Sequence, residues 1–243
     1  MSGLRPPELV RVKSGAFLMG ATDDDRFASV LERPRHRVEV ASAFRIGSTP
    51  VTRAQWSAYA DAAGGVFRPA PAACAEPSPA WPVMGVSRVD AEGYLAWLSA
   101  ETGEAFRLPT EAQWEYAARA GAAGAFHAGD DLTPADANYL YDERARRVGP
   151  GHPTPVGAYP PNAWGLFDTL GSVAEWVADD WHPGYEGAPA DGSARVEEER
   201  SGLGVIRGGS WGLLPRLCRC AYRDALAPDA RVDDVGFRVA CPA

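Results

Sequence analysis

The side chains best placed to do chemistry are two thiols one residue apart, Cys218 and Cys220, in the segment Gly212-Leu-Leu-Pro-Arg-Leu-Cys-Arg-Cys220. Thiolates are soft ligands that select copper(I), so a Cys-x-Cys pair would suit that ion. Buried structural thiols acting as small hydrophobes are the plainer expectation. If the two shared a strand they would point to one face with Cα atoms about 6 to 7 Å apart, poorly suited to an unstrained disulfide. With Cys74 and Cys241 they make up the 4 cysteines of the chain. They form no C-x-x-C unit and are expected to be free thiols in a reducing compartment.

Non-haem iron needs two histidines and a carboxylate converging on open positions. The 4 histidines, His36, His127, His152 and His182, are scattered with no H-x-D pair and no helical pair. Each reads as a surface or turn residue, His152 most clearly because it follows Gly149-Pro-Gly151. The runs Asp23-Asp24-Asp25 and Asp179-Asp180 read as solvated charge in turns. No nucleophile elbow, phosphate loop or dinucleotide fingerprint appears, and Ser210 after Gly208-Gly209 lacks a strand-turn-helix setting.

The elements that must position these groups are few. Thr52-Arg-Ala-Gln55 is a capping box that opens a helix carrying Trp56 and Tyr59 to a stop at Gly64-Gly65. A second helix is expected from Ser87 to Gly103, with Ala91, Tyr94, Leu95 and Leu98 on one face. A third begins at Thr110, carries Ala112, Glu115, Tyr116 and Arg119, and stops at Gly121. Elsewhere 26 Gly and 21 Pro break the chain into short segments, which suits short strands joined by long loops. His36–Val40, Ala43–Ile46, Gly204–Arg207 and Val235–Ala240 read as strands. The segments Arg68–Trp81 and Asp179–Gly202 read as surface excursions.

A hydrophobic share of 46% and 8 Trp describe an ordinary folded protein with an aromatic-rich core. The net charge of -8 and pI near 5.1 argue against a phosphate-backbone binder, so no nucleic-acid partner is expected. The basic run Arg144-Ala-Arg-Arg147 reads as a solvated loop. The start of the sequence shows no basic region leading into an apolar stretch, and no apolar run is long enough to span a bilayer, so the expectation is a cytoplasmic protein without a membrane span.

The ending is the richest region. Arg207-Gly-Gly-Ser-Trp211 opens a frame that closes on Val235-Gly-Phe-Arg-Val-Ala240, with Pro215, Arg219, Ala221, Tyr222, Arg223, Pro228, Asp229 and Arg231 between. Upstream stand Phe17-Leu-Met-Gly20, Pro50-Val-Thr52 with Gln55-Trp56, Pro82-Val83 with Val86-Ser87, Arg107-Leu-Pro-Thr-Glu-Ala-Gln-Trp-Glu-Tyr-Ala-Ala-Arg119, Pro161-Asn162 with Gly165-Leu-Phe-Asp168, and Gly171-Ser-Val-Ala-Glu-Trp176. In this order they resemble the landmarks of the formylglycine-generating-enzyme (sulfatase-modifying factor) family, a branch of the C-type lectin fold. The resemblance covers nearly the whole chain. It implies an α+β fold with few helices, short twisted strands and extensive loops, as a single domain over residues 1–243.

Within that family the ending looks most like a variable protein of a diversity-generating retroelement, which displays a randomised ligand-binding surface. By that resemblance the variable ligand-binding region is 211–238, and the randomised, ligand-binding positions are Gly212, Leu213, Leu214, Leu217, Asp224, Leu226, Ala227, Ala230, Val232, Asp233 and Asp234. Leu213, Leu214, Leu217 and Leu226 would form an exposed apolar patch beside the aspartates, fit for an unknown protein or other macromolecular ligand. The alternative is a metal-dependent oxidoreductase acting on a thiol or peptidyl cysteine. The family's copper enzyme separates its two cysteines by four residues, a spacing Cys218 and Cys220 do not match, and no catalytic residue is assigned. No cofactor is required. Structural calcium is possible by resemblance, with Glu175, Ser172 and Asn138 as its candidate ligands, although Ser172 stands where the family has Asn. Trp114, Trp176, Trp211 and Phe237, with Arg119, Arg207, Arg223 and Arg238, are read as core and frame.

Overall fold

Each helix starts where a hydroxyl and a side-chain amide or carboxylate can serve orphaned backbone amides in both directions. The computed structural model describes residues 5–64, 78–197 and 202–243. Helix α1 (Arg53–Ala63) is capped by Thr52, whose backbone amide donates to the Gln55 side chain at 2.8 Å. Helix α2 (Arg88–Thr102) is capped by Ser87 with Asp90, and it buries Ala91, Tyr94, Leu95 and Leu98 as the spacing predicts. Helix α3 (Glu111–Arg119) is capped by Thr110 with Gln113, and Asp179 adds a second cap by accepting from the Glu111 amide at 2.6 Å. It ends on Ala120 in the left-handed region, φ 47°, one residue before the glycine expected to stop it.

The strands are β1 (Leu9–Val12), β2 (Gly15–Met19), β3 (His36–Val40), β4 (Phe44–Gly47), β5 (Ala174–Asp180), β6 (Gly204–Arg207), β7 (Arg223–Leu226), β8 (Val235–Phe237) and β9 (Ala240–Pro242). They form a β1-β4-β9 sheet, a β2-β3 hairpin and a β7-β6-β5-β8 sheet. Strand β8 runs parallel to β5, and the other pairs are antiparallel. The single strand expected over Val235–Ala240 is two, because its halves join different sheets: Phe237 pairs with Trp176 and Ala240 with Ile46. The intervening Arg238 is fully buried at the crossing.

Helices α1 and α2 close over the four-stranded sheet. Trp56 stacks on Tyr94 with ring centroids 5.8 Å apart, Tyr94 meets Phe237 edge-on at 5.5 Å, and Trp176 is sealed beside them. Trp114 anchors a smaller cluster with Val177 and Val205 on α3's side. Trp211, expected in this core, is only half-buried, because its chain has already turned away from β6. Asp179 and Asp180, expected as solvated turn charge, lie buried at the end of β5, where Asp179 caps α3 and Asp180 pairs with Arg88 at 2.9 Å. Most of the Arg68–Trp81 excursion, with Cys74, lies outside the described residues.

Candidate functional site: a surface on an arginine frame

Four guanidiniums hold the terminal segment to the rest of the molecule. Arg207 at the end of β6 ion-pairs with Glu115 and donates to the carbonyls of Cys220, Ala221 and Tyr222. Arg223 at the start of β7 makes a two-pronged bond to Glu111, at 2.8 and 2.7 Å, and also donates to the His182 carbonyl. Arg219 grips Glu32 and Asp25, and Arg238 grips Glu175 through Nε at 2.6 Å and Nη2 at 2.7 Å. None of these side chains is more than 4% exposed. The rigid planar fork of arginine suits this task, since one side chain can serve a carboxylate and several irregular carbonyls together.

Two loops emerge from this frame, 208–222 between β6 and β7 and 227–234 between β7 and β8. The positions assigned to ligand binding fall on them and on β7. Asp224, Ala227, Val232 and Asp233 are exposed; Gly212, Leu213, Leu214, Leu217, Leu226, Ala230 and Asp234 are half-buried; none is sealed. The expected patch of four exposed leucines is therefore smaller than the sequence suggested. Leu226 packs against the main core from the sheet, and of the large apolar candidates only Val232, at 37%, is exposed.

The structure brings some of these positions together and separates others. Ser210 Oγ donates to Asp234 at 2.5 Å and accepts from the Gly212 amide, tying the first loop to the second. Val232 and Asp233 stand beside Gly85, whose amide donates to the Val232 carbonyl. Leu213 is bound through its carbonyl to the Leu140 amide, and the neighbouring Arg216 pairs with Glu143. Leu226 and Ala227 lie toward the opposite end of β7, because Arg223 pairs with Arg207 while Leu226 pairs with Gly204; Asp224, opposite Ile206, stays near the first loop and accepts from the Tyr222 hydroxyl. The 227–234 loop returns past α2, held by Arg231 on Asp90 and by the Val89 amide on the Pro228 carbonyl.

The calcium candidates are engaged differently. Both Glu175 oxygens are served by Arg238, and one also accepts from Trp114 at 2.8 Å, so the buried carboxylate is already neutralised. Asn138 uses its amide nitrogen to bond His152 O at 3.0 Å, leaving its oxygen buried without a partner, as is Ser172 Oγ. Asn138 and Ser172 are adjacent, since the Ser172 amide donates to the Asn138 carbonyl. A hard dication wants several oxygens including carboxylates. Two neutral oxygens and a carboxylate spent on Arg238 fit that demand poorly.

Cys218 closes a short 3-10 turn (Pro215–Cys218) and Cys220 follows in a loop, so the two do not share a strand. Both are fully buried with Phe126, Leu132 and Leu170, and burial pushes the Cys218 thiol up to about 12. Cys220 is raised too, again chiefly by burial. Cys218, Cys220 and Cys241 are free. Sealed, protonated thiols are poor copper ligands and poor nucleophiles. Among the described residues no group of three or more His, Cys, Asp or Glu is placed to hold a metal ion. His152 lies over Trp81 at 6.0 Å and His182 faces Glu197, far apart in the chain and in separate contacts.

The acidic partners of the frame were not foreseen from the sequence. Glu111 and Glu115 stand four apart on α3, and with Arg119 they carry a charged stripe on a helix otherwise made of core residues. That combination was the available signal, since a charge inside a buried helix needs a countercharge.

Comparison with known proteins agrees with this architecture. The sulfatase-modifying factor enzyme 1-like domain model matches residues 2–243, so the chain belongs to the formylglycine-generating-enzyme family, and its fold is the α+β fold of that family. It is 32% identical over 287 residues to the formylglycine-generating enzyme of Streptomyces coelicolor, covering 95% of this chain and 88% of that one. Other curated relatives are longer, and the chain spans 38% of their length. Among solved structures it is similar to PvdO from Pseudomonas aeruginosa, with 38% identity, a TM-score of 0.86, and 98% and 95% of the two chains covered. It is also similar to Treponema denticola variable protein 1, at 26% identity and a TM-score of 0.77 over 97% and 95%. No helix among the described residues is long and apolar enough to cross a membrane.

Proposed function

We propose that this chain is a ligand-binding display protein, a single domain over residues 1–243 whose variable positions at 212–234 are diversified by a retroelement and face a macromolecular partner. One observation carries the reading: no assigned variable position is sealed, whereas Arg207, Arg219, Arg223 and Arg238 in and around them are buried to within 4%. Side chains can vary freely only where they leave packing unchanged, so a display surface needs a frame of this kind. The similarity to a protein named as a variable protein supports the same reading. The partner would not be a nucleic acid, given the net charge of -8.

The decisive experiment is sequencing the DNA around the gene. A near-copy of the terminal coding segment, differing mainly at adenines beside a reverse transcriptase, is the expected result; a gene lacking any such repeat would sink the diversification. The second reading, a metal-dependent oxidoreductase acting on a thiol or peptidyl cysteine, draws on the relatives named formylglycine-generating enzyme. Copper loading that depended on Cys218 or Cys220 would favour it.

A further inference from the structure

A cavity of about 560 Å³ opens between the 22–27 loop, the 123–132 loop and the turn carrying Pro215, and none of the proposed display positions lines it. Its volume falls in the range of small-ligand sites, and its walls combine an apolar floor with convergent charges. Phe27, Phe126 and Leu132 supply the apolar surface. Of the carboxylates, Glu143 is held by Arg216 at 2.6 Å, and Asp25 shares Arg219, at 2.8 Å, with Glu32. Asp130 and Asp131 form no ion pair among the described residues, and Asp24 is held chiefly by a hydrogen bond from Thr22, with the field of Arg35 a lesser influence.

The opposite charge is present as well. Arg35 lines the same cavity, anchored by a 3.4 Å bond from Nη2 to the Ala123 carbonyl, and its Nε is enclosed without an acceptor. An enclosed donor without a partner forfeits the hydrogen bond it had in water, and a ligand oxygen would restore it. Arg26 is turned over the Phe27 ring, 4.6 Å from its centroid. Asp24, Asp130 and Asp131 set against Arg26 and Arg35, with Arg219 shared between Asp25 and Glu32, leave the walls net negative, which complements a ligand carrying a cationic group.

We propose that this cavity binds a basic amino acid, free or at the C-terminus of a peptide. Its guanidinium or ammonium group faces Asp130 and Asp131, its methylene chain covers Phe27, Phe126 and Leu132, and its carboxylate meets Arg35. This site is independent of the display surface and stands or falls without it.

Calorimetric titration of the whole chain with L-arginine tests the proposal, with agmatine, L-leucine and glycyl-glycyl-arginine as companions. L-Arginine is expected to bind with a dissociation constant of about 1 mM or tighter, ordinary for a ligand of this size. Agmatine, lacking the carboxylate, and leucine, lacking the cation, should each bind about tenfold more weakly, the worth of one charge-assisted bond. The tripeptide matching L-arginine identifies a peptide terminus as the ligand, and a weaker tripeptide assigns the free amino acid. The D130N/D131N double variant should weaken arginine by about tenfold or more, R35Q should erase the preference over agmatine, and L213S should leave both unchanged. Thermal melting of each variant verifies that it is folded. No saturable arginine binding, leucine binding as well as arginine, or binding indifferent to D130N/D131N and R35Q overturns the proposal.

Discussion

A guanidinium sealed from water survives only with its countercharge, so the four frame arginines and their carboxylates must be judged as pairs. Replacing Arg238 by Ala leaves Glu175 charged and buried, and is expected to cost about 3–5 kcal/mol. Replacing the exposed Val232 by Ser should change stability by no more than about 0.5 kcal/mol. Leu226→Ser should fall between them, because Leu226 packs on the core. Urea unfolding of the three variants gives the order directly. The same scale carries a pH dependence. Burial first, and then the charge of Glu111, push the Asp179 carboxyl up to about 7 from an ordinary 3.8. Between those values the unfolded chain has lost a proton that the folded chain keeps, so this group makes the protein less stable as pH rises and adds nothing further above about 7. Asp179→Asn should therefore flatten the fall in the urea midpoint between about pH 4 and 7.

At the scale of elements, the sharpest constraint is the approach of β8 to the 83–85 turn. A Cβ on Gly236 would lie 2.3 Å from the Val83 carbonyl oxygen, a distance that backbone on both sides cannot relieve. Gly236→Ala should cost more than about 2 kcal/mol, whereas Gly202→Ala, which meets nothing within 4 Å, should be nearly neutral. Thermal denaturation of the two variants distinguishes them. The 208–222 loop has a matching constraint at Gly209, with φ +68° and Leu217 O only 2.4 Å from a built Cβ. The 208–222 and 227–234 loops are thus fixed where they leave the sheet, and again between those points by Arg216 on Glu143, Arg219 on Glu32 and Arg231 on Asp90.

For the whole molecule, the buried thiols give a test that separates binder from copper enzyme. In the native state Cys218, Cys220 and Cys241 should resist a thiol reagent that labels them once the protein is denatured, since all are buried and their thiols are raised by burial. Mass spectrometry of labelled peptides reads this residue by residue. Rapid native labelling of Cys220, or its protection by added copper, would falsify the structural role assigned to these thiols.

Much of this architecture was written locally. Thr52, Ser87 and Thr110 cap the helices they were expected to cap, because a capping box is complete within four residues and needs no distant partner. The ordered landmarks from Phe17 to Ala240 were sufficient to identify the family for the same reason: each is a short string that packs in a fixed way. What the string could not carry was distance. The split of Val235–Ala240 was decided by two sheets competing for one segment, and the burial of Asp179 and Asp180 by an α3 amide and an arginine 68 and 92 residues away. The partners of Arg219 lie 187 and 194 residues from it, so no spacing rule could have named them. Likewise, Leu226 looked like surface because its neighbours did, and Trp211 looked like core because tryptophan usually is. Burial is a property of the folded whole, fixed by which segments meet, and only the tertiary structure decided it.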